Sequence, residues 1–154
     1  MRNLSSILAI AALVVVCACN SRDTTGPAKP NGGSMSAVID GAEWTAVSIA
    51  IDSLAPSSIV VWGSKETERL AIAIPVDQGP GTQTIGSTTP VFAGLVAGSQ
   101  SWLASRTQGG SGSVTLTTVV PGHIVGTFEF TLAAHEGSLP ADRRVNSGRF
   151  DVKY

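Results

Sequence analysis

Cys17 and Cys19 are the only cysteines of the 154-residue chain, and a single alanine separates them in "VVVCACN". Thiols this close could pair, bind metal or be modified. A disulfide between them is disfavoured, because the bond needs a specific Cβ geometry that so tight a loop would strain. A zinc site needs further nitrogen or sulfur ligands, and the only histidines, His123 and His135, lie more than a hundred residues downstream.

The surroundings of the pair favour modification. Met1-Arg2-Asn3 is a short basic start, and Leu4 to Val16 is a thirteen-residue run whose only polar members are Ser5 and Ser6. Such a run is short of the roughly 20 residues that span a bilayer, but it suits the apolar region of a secretory signal. Val16-Cys17-Ala18 before Cys19 resembles the end of a bacterial lipoprotein signal. The resemblance implies cleavage before Cys19, diacylation of its sulfur and acylation of the new amino group, while Cys17 leaves with residues 1–18. Two or three acyl chains make a durable anchor where one binds reversibly. Asn20 at the next position, by the enterobacterial sorting pattern, implies passage to the outer membrane, facing the periplasm.

Other candidate chemistry is sparse. "HEG" at His135 lacks the second histidine of H-E-x-x-H, and His123 opens an apolar run after Pro121-Gly122. Both read as surface or loop histidines. Glu66 and Glu68 in "GSKETERL" neighbour Lys65 and Arg69, which reads as a solvated turn. Asp77 has no D-x-D-x-D-G spacing around it to complete a calcium site. "GGSGS" is not G-x-S-x-G, and "GPGTQTIG" misses the dinucleotide fingerprint. No catalytic residue, metal set or cofactor is therefore expected. Two carboxylates brought together by the fold would still permit a hydrolase.

Tryptophans are the remaining candidates. Trp44 and Trp62 sit among apolar neighbours and read as core. Trp102, in "GSQSWLASRTQGG", sits among polar residues with Arg106 close by. Trp102 and Arg106 could form a ligand-binding rim, the ring stacking on a sugar or anchoring a protein. The competing reading is a half-buried ring that covers a sheet edge.

The elements that must position these residues are strands. "RLAIAIPV" puts Leu70, Ile72, Ile74 and Val76 on one face, with Ala71 and Ala73 on the other. "IVGTFEFTL" aligns Ile124, Phe128, Phe130 and Leu132, and "GRFDVKY" aligns Phe150, Val152 and Tyr154 against Arg149, Asp151 and Lys153. Period-two alternation marks strands with one wet face. Strands are predicted near 36–40, 44–51, 58–63, 69–76, 91–97, 101–106, 112–119, 123–133 and 146–153. Asp40-Gly41 signals a hairpin turn. The expected fold is all-β, an antiparallel β-sandwich or flattened β-barrel of about 8–10 strands. The expected organisation is a signal peptide over 1–18, the lipidated cysteine and a disordered tether over 19–34, and one β-domain over 35–154. The tether, "NSRDTTGPAKPNGGS" after Cys19, has no large apolar residue with which to build a core.

"IDGAEWTA", "IPVDQGPGTQTIG", "GSGSVTLTT", "VGTFEFTL" and "VNSGRFDV", in that order, resemble a family of small bacterial lipoproteins of unknown function. The resemblance implies one all-β domain behind a lipoprotein signal and supplies no catalytic residues. Gln83 stands where that family's middle motif commonly has an aromatic.

Charge narrows the partners. Without Arg2, nine Lys plus Arg face eleven Asp plus Glu, about −2 overall, so there is no basic patch for nucleic acid. The expected function is a non-catalytic binding or scaffold module in the cell envelope, held to the membrane by lipid on Cys19. Its partner would be a glycan, a small apolar ligand or an envelope protein. The alternative is a carboxylate-dependent envelope hydrolase.

Overall fold

A computed structural model of the chain describes residues 32–55, 57–86, 90–135 and 141–154. The signal segment, Cys19 and most of the expected tether lie outside the described residues. Within them there is no helix, and eleven strands follow one another: β1 (Gly33–Ile39), β2 (Ala42–Thr45), β3 (Ser48–Ala55), β4 (Ser58–Lys65), β5 (Glu68–Pro75), β6 (Gly81–Thr84), β7 (Phe92–Ala97), β8 (Gln100–Ala104), β9 (Ser111–Val120), β10 (His123–Ala134) and β11 (Arg143–Lys153). All pairings are antiparallel.

The main path runs β2-β1-β11-β10-β8-β7-β5-β4-β3, and β9 with β6 branches from β10. Strand β10 makes the branch because it changes partner along its twelve residues. From His123 to Thr131 it pairs with β9, and then Ala133 and Ala134 pair with β8. The result is a curled half-barrel with two facing halves. Half A is β2-β1-β11-β10-β9-β6, half B is β8-β7-β5-β4-β3, and the core lies between them.

At the far side the chain itself crosses between the halves. The single strand expected over 44–51 is broken at Ala46-Val47, where Ala46 N–H donates to Met35 O at 2.9 Å and Val47 N–H donates to Ser64 O at 2.8 Å. Two adjacent residues thus bond to opposite halves, which no straight strand can do. A second correction is β6: the polar "GTQT" pairs with β9 from Gly81↔Leu116 to Thr84↔Ser113, although its composition carries no strand signal. These two changes raise the count above the expected eight to ten.

The alternation in "IVGTFEFTL" and "GRFDVKY" is observed as read, whereas in "RLAIAIPV" the expected wet face is buried too: Ala71 and Ala73 lie under Trp62 and Phe92 in a second cluster. Leu70, Ile72, Ile74, Ile124, Phe128, Phe130, Leu132, Phe150 and Val152 belong to one buried cluster. Tyr154 is the exception: it lies past the last residue of β11 and is 44% exposed.

Aromatic packing in half A depends on glycine. Phe128 faces Gly148 and Phe150 faces Gly126 across β10 and β11, while Phe130 faces Gly112 across β9 and β10. A Cβ on Gly148 would come within 2.3 Å of the Phe128 ring, and one on Gly126 within 2.7 Å of Phe150. The empty side of each glycine is the bed for the ring opposite. The rings stack at centroid distances of 5.5 Å (Phe128–Phe130) and 6.2 Å (Phe128–Phe150). Each such side chain buries a large apolar area, and paired rings add about 0.5–1.5 kcal/mol beyond area.

A candidate binding groove on the outer face of half A

Residues that alternate with the buried phenylalanines point the other way. Thr127 and Glu129 of β10, Arg149 and Asp151 of β11, Ser34 of β1, and Ser113, Thr115 and Thr117 of β9 share the outer face of half A. Three register shifts occur there: Ser36/Val38 in β1–β11, Phe128/Phe130 in β10–β11 and Val125/Gly126 in β9–β10. Bulges increase local twist and bend a strand, so this face is concave. It forms an open groove of about 710 Å³ lined by these side chains together with Val125 and Ser147. Ser147 sits at the bulge with φ +51°.

Its lining is chemically mixed. Thr82 and Thr115 hydroxyls bond each other at 2.9 Å, and Thr117 donates to Val125 O at 3.1 Å. Glu129 and Arg149 have no hydrogen-bond or ion-pair partner among the described residues. The bordering rings of Phe128 and Phe150 are 4% and 2% exposed, so the groove offers no aromatic platform.

At one end His123 Nε2 lies 2.8 Å from Asp151 Oδ1. Ser34 lines the adjoining pocket with both. The order is wrong for a nucleophilic triad, in which the imidazole stands between hydroxyl and carboxylate. Here β11 lies between β1 and β10, and Asp151, opposite Ser34, is the middle member. His135 lies elsewhere and contacts Gln108 at 3.1 Å. Glu66, with φ +52°, sits in the turn between β4 and β5, and Glu68 lies opposite Lys65, so this acidic pair is a hairpin end. Asp77 is exposed after β5. No group of three or more His, Cys, Asp or Glu side chains among the described residues is placed to hold a metal ion.

Trp102 is not at a wet rim. It is 3% exposed inside the main core, its Nε1–H donates to Ala141 O at 3.0 Å, and the Arg143 guanidinium covers the ring at 4.7 Å. Arg143 is held in turn by Asp40, whose other carboxylate oxygen accepts from Arg144 N–H. Polar neighbours in sequence misled because strand alternation sent Ser101 and Leu103 to one face and Trp102 to the other. Arg106 is exposed in the turn after β8, with no ring face of Trp102 open to solvent beside it.

Trp62 takes the position expected of Trp102. On β4 it points away from the main core and packs, with Phe92 of β7, over Val60, Ala71 and Ala73. The register explains this: Trp62 lies opposite Ala71, and Phe92 opposite Ala73. Two rings therefore flank small residues on the outer face of half B, and Arg69 stacks on Trp62 at 4.9 Å. Trp44, 2% exposed, is core as read.

Gln83 is the one buried polar side chain among the described residues. Its Nε2–H donates to Pro75 O at 3.0 Å, tying β6 of half A to the end of β5 in half B. A phenylalanine could fill that space but could not make this bond between the two halves.

The model of one family, described as a domain of unknown function (DUF6252), matches residues 31–151. No curated protein and no solved structure matches the chain.

Proposed function

This chain belongs to the DUF6252 family, and we propose that its β-domain is a non-catalytic binding module, anchored in the cell envelope through lipid on Cys19, with the groove of half A as its contact surface. The supporting observation is the groove itself. At about 710 Å³ it falls within the ~300–1,000 Å³ of small-ligand sites. Its lining is hydroxyls and opposed charges, which suits a polar partner rather than an apolar one.

Anchoring rests on the Val16-Cys17-Ala18-Cys19 run and the core-less segment after it. Strand β1 begins at Gly33, and Gly33 and Ser34 line the pocket beside His123 and Asp151. A tether joined there leaves the domain at one end of the groove. Outer-membrane placement, facing the periplasm, follows from Asn20 by the sorting pattern.

Groove geometry also weighs against carboxylate hydrolysis. Asp151 lies opposite Val125, four residues before Glu129 on β10, so the backbone positions of the two acids lie about 14 Å apart at ~3.4 Å per residue. Inverting hydrolysis of a glycoside places its pair at ~6.5–9.5 Å, and retaining hydrolysis closer.

Two measurements test the proposal. Mass spectrometry of the chain from membranes should find acylated Cys19 as the first residue; an unmodified cysteine or another cut site overturns the anchor. The soluble Cys19→Ser chain, isotope-labelled and titrated with dialysed envelope extract, should show amide shifts at Thr115, Thr127, Glu129 and Arg149. Shifts confined to Trp62 and Phe92 would move the contact surface to half B.

A further inference from the structure

Arg149 and Glu129 share the groove floor without pairing. Arg149 faces Thr127 across β10 and β11, and Glu129 follows two residues later. Diagonal neighbours of this kind start about 7–8 Å apart. Arginine and glutamate side chains are long enough to meet across such a gap, yet among the described residues they form no ion pair. A guanidinium and a carboxylate therefore line one concavity as diagonal neighbours, each open to solvent and neither held by another described residue.

From this arrangement, and resting on the groove being the contact surface, we infer that the ligand is a zwitterionic amino-acid-type group. Its carboxylate is taken by Arg149 and its ammonium by Glu129. Arginine presents a planar fork that matches a carboxylate with two parallel bonds. Glu129 is a pure acceptor when ionised, and an ammonium is a pure donor. A ligand with one charge of each sign, close together, satisfies both at once; a simple anion leaves Glu129 facing it, and a simple cation leaves Arg149.

Surrounding residues narrow the class further. Thr127 and Ser113, opposite Arg149 and Glu129 in register, add hydroxyls that donate or accept and so suit amide groups next to the charged ends. A ligand held by stacking on an aromatic face is disfavoured, because both bordering rings are buried beneath the floor. Asp151 is engaged by His123 at the groove end, which leaves Glu129 as the acceptor in the middle. The groove volume admits a short peptide rather than a single amino acid alone.

The experiment titrates the soluble Cys19→Ser chain with alanyl-alanine, its N-acetyl and C-amide derivatives, and maltotriose. Alanyl-alanine should shift Thr127, Glu129 and Arg149 signals in a saturable way. Each blocked derivative should bind at least about tenfold more weakly, the factor expected for one lost charge-assisted hydrogen bond. Arg149→Gln should weaken the free dipeptide and the N-acetyl form but leave the C-amide unaffected; Glu129→Gln should do the reverse. Both side chains are exposed, so the melting temperature should hold and loss of folding would not mask the result. Equal binding of free and blocked peptides, or stronger binding of maltotriose, overturns the zwitterion inference while keeping the groove as a site. Absence of any saturable shift overturns the inference, and envelope extract acting at the groove in the same chain would then still support the broader reading.

Discussion

The two outer faces of the half-barrel are built from the same element and have opposite chemistry. On half A, the phenylalanines point inward: Phe128, Phe130 and Phe150 stack over glycines. What remains outside is Thr127, Glu129, Arg149 and Asp151. On half B, β4, β5 and β7 are apolar on both sides, so Val61, Leu70, Ile72 and Leu95 fill the core while Trp62, Phe92 and Val60 cover the outside. A sheet that spends its aromatics inward is free to present polar groups outward. One that is apolar on both faces must cover its second face with its own rings. Here alanines at 71 and 73 make the trough and the two rings flank it.

That contrast orders the variants. Phe150→Ala should cost about 3–5 kcal/mol, the usual range for a buried phenylalanine, and unfold most of the chain in a denaturant melt. A variant that melts like the parent would mean that half A is not held by its inward aromatics. Gly148→Ala should cost about 1–3 kcal/mol by overpacking, since its Cβ would meet the Phe128 ring at 2.3 Å; combining it with Phe128→Leu should recover part of the loss. A Gly148→Ala chain of unchanged stability would show that the ring can move elsewhere.

On half B the same chemistry should matter less. Trp62 is only partly buried, so Trp62→Ala should cost less than about 2 kcal/mol, below the full burial of a large side chain. If it equalled Phe150→Ala, the outer cluster would be a second core rather than a covering. Arg69→Ala should cost about 0.5–1 kcal/mol, the worth of an exposed cation–π contact, and should alter Trp62 fluorescence. Smallest of all, Thr127→Ala should stay within about 0.5 kcal/mol of the parent, as exposed substitutions usually do; a large destabilisation would make the groove floor structural.

Some of this was readable from residues alone. The strands around Phe128 and Phe150 follow their alternation closely, because a strand's own geometry decides which neighbours share a face. The fate of the tryptophans was not readable. "SIVVWGS" is apolar at successive positions, so nothing in it says which face meets the core, and its composition alone places Trp62 inward. "SQSWLAS" is polar around its tryptophan, but Ser101 and Leu103 face the other way. β6 was missed because "GTQT" becomes a strand only by pairing with β9, and the strand expected over 44–51 was too long because the corner at Ala46-Val47 is made by bonds to Met35 and Ser64.

The candidate site shows the same division. Its residues were visible only as the wet positions of separate strands, and neither Glu129 nor Arg149 stood out. Alternation reports that a side chain faces solvent; it does not report which other solvent-facing side chains lie beside it. Residues 129 and 149 become neighbours through the β10–β11 register, which a bulge at Asn146-Ser147 shifts locally. Sequence alone thus determined the all-β class and the inward faces of the best-patterned strands, because each is written within a few consecutive residues. Tertiary structure decided the half-barrel, the exchange of roles between Trp62 and Trp102, and the groove. These depend on strand order and register, which are set by contacts between residues far apart in the chain.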